Sequence, residues 1–413
     1  MEGNMCVIDC GTHTFKAGYA YNFPSEEEPR VQIPLDTFKL NGSSPSSVEK
    51  GGIKELEALL RHTLYDRLGW IDGYEGCVVV AEPVLTSRSE RENLTQLMFE
   101  KFNVNGLYVQ DQAVLSLYGV GKVSGCVIDI GHDKTDVSAV LEGQTCQSTV
   151  RRIPLGGRHV TERLSQLLEQ RGVKVSNSVK SVEVLKEMCA HAADSEEHYE
   201  NVMRGAIEKD ASTTAAVSTS FPADPAASDA QPTSLTGSPV TYTLPDGTQI
   251  IVGNEGCCAV ETLLRPGVTA TACQRPPSDS AMLPDQGQGG RVSAGIEAGH
   301  IPGIPETVIS CVETGYEGNL RRAALENLLV CGGGSCIPNL SQRLLREIRG
   351  LSSPPSITPA LCPIPEYLPP STSRSAAWLG GAVVARVVLN QSGFVTKWDY
   401  EEAGPQAVHR RCS

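Results

Sequence analysis

Residues Val127–Val140 read VIDIGHDKTDVSAV. An apolar run ends on a carboxylate, Asp129. A turn containing Gly131 follows, and then a second run of alternating and β-branched residues that suits a strand. The same figure stands near the beginning, at Val7–Ala20, VIDCGTHTFKAGYA, where Asp9 precedes Gly11 by the same two positions. Two strand–turn–strand hairpins, each with an acid at its strand end, predict a duplicated lobe and a cleft between the copies.

The chemistry of such a pair is specific. A buried strand delivers each Asp to a cleft wall, and Gly permits a tight turn with close backbone approach to a ligand. Successive turn N–H groups make a concave anion site suited to phosphate. Thr12, Thr14 and Thr135 add hydroxyls, and Lys16 adds a positive charge. The two carboxylates suit a hydrated Mg²⁺, which keeps several waters and takes few protein groups. An isolated Asp-x-Gly is more often an ordinary β-turn. Its recurrence in one chain is what lends the functional reading weight.

Composition bounds the alternatives. The chain has 413 residues, room for two or three domains' worth of core. A net charge of −13 argues against broad nucleic-acid binding, which needs a basic face. The 14 cysteines include no Cys-x-x-Cys pair. With no secretory pattern at the start, they are expected to be reduced intracellular thiols. Apolar runs fall short of a membrane span, so a soluble protein with no membrane partner is expected.

Several elements can be placed in order. Val31–Ile33 reads as a short strand, residues 36–52 as a polar loop, and Ile53–Leu68 as an amphipathic helix. Cys77–Pro83 is an apolar strand ending on an acid, and Ser87 caps a helix reaching Phe102. Leu107–Val109 is a short strand and Asp111–Tyr118 a helix. Beyond the second hairpin, a strand is expected at Ser148–Pro154 and helices at Arg158–Gln170 and Val182–His191. Residues 205–240 are rich in Ala, Ser, Thr and Pro and read as a disordered insertion, as do residues 274–303. A β-hairpin is expected over 241–253, turning at Pro245-Asp246-Gly247. Helices at Pro305–Thr314 and Asn319–Asn327 precede LLVCGGGSCIPN (328–339), and Leu340–Arg349 forms a further helix. WLGGAVVARVVL (378–389) is a small-residue helix, and the end reads as a polar tail. The Gly332-Gly333-Gly334 loop after a strand is a third place where backbone can approach a nucleotide.

Taken together these residues resemble the actin family. The match is carried by both hairpins and by QLMFEKFNVNGLYVQDQAVLSLYGVGKVSGCVIDIG, LPDGTQIIVGNE, NLLVCGGGSCIP, AAWLGGAVV and DYEEAGPQAVHRRC. Within the family, FNVNGLY, AVLSLYGVGKVSGCVIDIGH and VLEG resemble the plant-type nuclear actin-related proteins of class seven. The resemblance implies an α/β, actin-like fold: two ribonuclease-H-like lobes around a nucleotide cleft. The first lobe is expected over 1–125, with its small domain reduced to about 35–52. The second is expected over 126–330, and 331–413 supplies the nucleoside loop and the return to the first lobe.

By the same resemblance, Asp9, Gly11, Thr12, His13 and Lys16 form the first phosphate loop and Asp129, Gly131 and His132 the second. Gly332, Gly333 and Gly334 are the nucleoside loop. Asp9 and Asp129 hold Mg²⁺ through water, beside ATP or ADP. Gln112 takes the place of the glutamine that orients the attacking water, as an amide does in GTPases. Three departures stand out: His13 for Gly, His132 for an acid, and Asp136 for a His near the hydrolytic water. Around Leu185–Glu187 the nucleoside contacts match poorly, with Lys186 the best candidate. Nucleotide binding with weak or absent hydrolysis is the expectation.

Residues 35–52 are too few for the small domain that filament-forming members carry, so a non-polymerising monomer held in a complex is expected. Tyr118, Gly121, Val123, Gly143, Val383, Val384 and Val387 match the positions lining the family's apolar groove, a slot for a partner helix. The implied partner is the helicase-SANT-associated helix of a remodelling ATPase in a SWI/SNF-type complex, alongside actin or another actin-related protein. The nucleus is the implied location, and direct sequence-specific nucleic-acid contact is not expected. The rival reading is a cytoplasmic actin-related ATPase or a filament-capping or adaptor protein.

Overall fold

The structure, a computed structural model, describes residues 5–20, 28–35, 52–173, 179–201, 240–243, 249–267, 301–315, 318–352, 357–390 and 393–412. Of the expected insertions at 205–240 and 274–303, all but Val240 and residues 301–303 lie outside the described residues, as do the 36–52 excursion up to residue 51 and the 245–247 turn. Two compact units are formed. The first comprises 1–158, 273–336 and 344–413, and the second 159–272 and 337–343.

Strands β1 (Met5–Cys10), β2 (Thr14–Tyr19) and β3 (Val31–Pro34) open the first unit. Helix α1 (Gly52–Arg61), β4 (Cys77–Glu82), α2 (Arg88–Glu100), β5 (Gly106–Asp111) and α3 (Gln112–Gly119) follow. The first sheet runs β13-β5-β4-β1-β2-β3, where β13 is Val395–Thr396. Its central strands are buried on both faces, which is why they read as unbroken apolar runs. Cys6, Ile8, Val78 and Val80 point to one core, shared with Leu56, Leu59 and Leu60 of α1 and Leu97 and Met98 of α2. Met5, Val7, Val79 and Ala81 point to the other, packed on Trp378, Leu379 and Ala385.

The second sheet repeats this plan. Strands β6 (Gly125–Ile130), β7 (Thr135–Leu141) and β8 (Gln144–Thr145) are joined by β12 (Leu328–Cys331) in the order β12-β6-β7-β8, and β9 (Arg151–Ile153) pairs with β7. In the first sheet the acid-bearing β1 is antiparallel to β2 and parallel to β4. In the second, β6 is antiparallel to β7 and parallel to β12. Asp9 and Asp129 thus occupy equivalent strand ends, and the duplication read from the sequence is a duplication of topology.

Helix α4 (Gly157–Gln170) leads into the second unit, which holds α5 (Val179–Cys189), the hairpin β10/β11 (Val240–Thr243, Gln249–Val252) and α6 (Glu255–Leu264). Its core includes Ala193, Tyr199, Cys257 and Cys258. Arg343 is fully buried there and donates to Ala193 O at 3.2 Å and Glu261 Oε1 at 3.3 Å. A buried guanidinium survives only with such partners.

The chain completes itself with α7 (Ile304–Gly315), α8 (Gly318–Leu325), α9 (Leu340–Leu351), α10 (Thr372–Asn390) and α11 (Lys397–Ala403). Two expectations change. The Ile53–Leu68 helix is α-helical only to Arg61 and widens to a π-helix over His62–Arg67. There the buried Thr63 hydroxyl donates back to Leu59 O at 2.8 Å, a bond that distorts helices. The polar tail is also structured. Val395 pairs with Leu107, Thr396 and Asp399 form a capping box, and Ala407, Val408 and Cys412 enter the first core. A few apolar residues among many charges suffice to anchor it. No described helix is long and apolar enough to cross a membrane.

Candidate functional site

The two hairpin turns have one geometry. A Cβ at Gly11 would come 2.7 Å from Thr14 O, and one at Gly131 would come 2.9 Å from Lys134 O. Each glycine therefore lies under the carbonyl three residues on, where no side chain fits. Asp9 is paired across β1/β2 with Lys16, and Asp129 across β6/β7 with Asp136.

Asp9 is buried and both of its oxygens are engaged. Lys16 Nζ donates to Oδ2 at 2.9 Å, and Gln112 Nε2 donates to Oδ1 at 2.7 Å. Lys16 Nζ also donates to Arg374 O at 3.0 Å. Gln112, the first residue of α3, directs its amide N–H at Asp9 in this arrangement. Asp129 is different. Burial, then the charges of Asp136 and Asp9, push its carboxyl up to about 6, against the pull of Lys16 and Lys134. Mutual repulsion of this kind is what a shared divalent cation relieves.

The third glycine loop abuts this acid. Cys331 pairs with Asp129 across β12/β6, and the next residue, Gly332, has φ +83°. A Cβ on Gly332 would meet Asp129 Oδ1 and Ile130 O, whereas one on Gly333 would meet open space. Gly333–Cys336 forms a 3₁₀ turn. The backbone is therefore bare at Gly333, as close approach of a nucleoside requires. These features fit a Mg²⁺-nucleotide: Asp9 and Asp129 would hold the hydrated metal, the two turns the phosphates, and Gly332–Gly334 the nucleoside.

The three sequence departures take definite positions. The rings of His13 and His132, one from each turn, stack with centroids 4.3 Å apart and planes 19° from parallel. Asp136 is gripped by Arg152, Nε to Oδ1 at 2.6 Å and Nη2 to Oδ2 at 2.8 Å, with Lys134 at 3.6 Å. Burial lowers the Lys134 pKa. Such a bidentate pair fixes the Asp136 carboxylate toward Arg152. Thr12 lies in the first turn, partly buried, and Thr135 Oγ1 donates to Leu155 O at 2.7 Å. Lys186 belongs to the second unit, on α5, where burial lowers its pKa.

Sequence reasoning missed the backbone of α10. Ser375 leaves helical geometry (φ −119°, ψ 18°), and Ser373 O accepts from Gly332 N at 3.0 Å while Arg374 O accepts from Lys16. Carbonyl groups carry no sequence signal. Also missed was Glu82, buried at the end of β4 beside Arg91; burial lifts the Glu82 carboxyl to about 7. The apolar run ending in Glu82 was visible, but its partner lies on α2.

The apolar groove residues divide. Tyr118 packs against two cores at once, and its hydroxyl fills the space over buried Gly143, whose N–H donates to Val123 O at 2.8 Å. Gly121 and Val123 are exposed, Val123 at 57 %, and Val387 is 48 % exposed. Val383 is partly buried. Val384, at 8 % exposure, packs into the core with Trp378 and Val388.

A duplicated α/β hairpin sheet, with acids at equivalent strand ends and a glycine loop beside one of them, defines an actin-like fold. The sequence model of the actin family matches residues 43–413. Actin-related protein 7 of Arabidopsis thaliana is 33 % identical over 424 aligned residues, covering 98 % of this chain and 99 % of the relative. Actin-related protein 7 of Oryza sativa subsp. indica is 32 % identical over 417, with the same coverage. The chain belongs to the actin family, as an actin-related protein.

Proposed function

We propose that this protein is a non-polymerising, non-hydrolysing subunit of a SWI/SNF-type chromatin-remodelling complex, acting in the nucleus. It binds ATP or ADP with Mg²⁺ and presents an apolar groove to the helicase-SANT-associated helix of the remodelling ATPase, next to actin or another actin-related protein. The observation that carries the non-hydrolytic reading is the clamp of Arg152 on Asp136, together with the engagement of Gln112 by Asp9. Both groups are already committed to neighbours, which supports weak or absent hydrolysis. Asp9 and Asp129 would hold the Mg²⁺ of the bound nucleotide, whose charge would offset the repulsion between them. The chain's own part is to hold, orient and close around it. Non-polymerisation rests on the 16 residues between Leu35 and Gly52, too few for a small domain.

Affinity purification of the tagged full chain from nuclear extract, followed by mass spectrometry, tests the assignment. A remodelling ATPase and its accessory subunits are expected. Recovery of cytoskeletal or motor-adaptor proteins alone would instead support the cytoplasmic alternative.

A further inference from the structure

The His13–His132 stack joins the two turns that follow Asp9 and Asp129. Each ring follows its turn glycine by one or two positions, His13 after Gly11 and Thr12, His132 directly after Gly131. Both backbones are fixed behind the rings. His13 O accepts from Leu35 N at 2.8 Å, and His132 O accepts from Arg158 N at 2.8 Å. Gly131 O is held by Gly157 N at 2.9 Å. Gly156 seals the rear of the second turn, since a Cβ there would lie 2.6 Å from both Gly131 O and His132 O. The turns cannot easily retreat, and centroids 4.3 Å apart mean that the ring faces touch. No group fits between them.

The nucleotide-binding reading gives a phosphate chain a direction here. The nucleoside end belongs at Gly332–Gly334, whose first residue presses on Asp129 Oδ1 and Ile130 O. On the nucleotide-binding reading, phosphates running from that loop past Asp129 and Asp9 would next meet His13 and His132, which lie four and three residues beyond those acids. We infer that the stacked His13–His132 pair closes the way to a third phosphate, so that the site selects a nucleoside diphosphate over the triphosphate. This rests on the nucleotide-binding reading above. A triphosphate has to unstack the rings and part them, whereas a diphosphate ends short of them and leaves the contact intact. The chain would then enter its complex carrying a diphosphate, in a state set by binding preference with no turnover needed.

Isothermal titration of the full chain with Mg·ADP and with Mg·ATP tests this, on the wild type and on His13→Ala and His132→Ala, each first shown to be folded by circular dichroism. The wild type is expected to bind Mg·ADP at least about tenfold more tightly, the scale of one lost aromatic contact. Either single variant removes one ring and is expected to bring the two affinities to within about twofold. Equal wild-type affinities would overturn the inference without any variant. A preference that survives both substitutions would overturn its assignment to this pair. Absence of binding by either nucleotide to wild type and variants alike would overturn the nucleotide-binding reading underneath it.

Discussion

Lys16 Nζ lies 2.9 Å from Asp9 Oδ2, a cross-strand ion pair set by the β1/β2 register and almost shut off from solvent, with the two side chains 12 % and 6 % exposed. It holds the first hairpin in shape and also tempers the charge felt by Asp129. Removing one partner of a buried pair leaves the other uncompensated, at a cost of roughly 3 kcal/mol. Lys16→Ala is therefore expected to lower the unfolding free energy read from chemical denaturation by an amount of that order. A loss below about 0.5 kcal/mol would mean that the pair behaves as a surface contact.

Asp129 gives a pH signature. Its carboxyl titrates near 6 in the folded chain and near 3.8 when unperturbed. The folded state thus holds the proton more tightly, so this group's stabilising contribution is whole below about pH 4 and fades as the pH climbs through 6. Asp129→Asn is expected to raise the stability of the nucleotide-free protein at pH 7.5 by roughly 1–2 kcal/mol, and to change it little at pH 4. Denaturation curves at the two pH values measure this. A variant that is destabilised at pH 7.5 would contradict the electrostatic account.

Gly332→Ala places a methyl group against Asp129 Oδ1 at a backbone φ of +83°. Both the left-handed backbone and the collision oppose it, at roughly 2–4 kcal/mol together. The variant is expected to lose nucleotide-dependent thermal stabilisation, because the glycine loop must retreat from the acid. A normal thermal shift with Mg·ADP would count against the assigned nucleoside loop.

The groove reading separates two neighbouring valines. Val384→Asp buries a charge beside Trp378 and is expected to unfold the first unit. Val387→Asp changes a half-exposed side chain. It should leave the melting temperature within about 1 °C, since surface substitutions are nearly neutral, while abolishing co-purification of the remodelling ATPase. Retained association would remove Val387 from the partner surface.

Much of this architecture was legible in the sequence because acid, glycine and β-branched residues stand in one order twice, and strand registers then follow from alternation. The groove was less legible. Helix α10 is apolar or small over most of the stretch from Ala382 to Val388, with Arg386 the one charge there, and a single charge does not settle which valine faces out. The final segment was misread for the opposite reason: Ala407, Val408 and Cys412 are too few among charges to show a period, yet each is buried. The histidine stack joins residues from two separate turns, so no local pattern announces it. Tertiary proximity made that part of the site, and only the fold supplies it.

The central claim is that this actin fold serves as a binding subunit in which Asp136 and Gln112 are withdrawn from water activation. Steady-state phosphate release from Mg·ATP by the purified full chain, at a salt concentration that favours actin assembly, addresses it most directly. Release indistinguishable from a protein-free control is predicted. Turnover at an actin-like rate would contradict the claim.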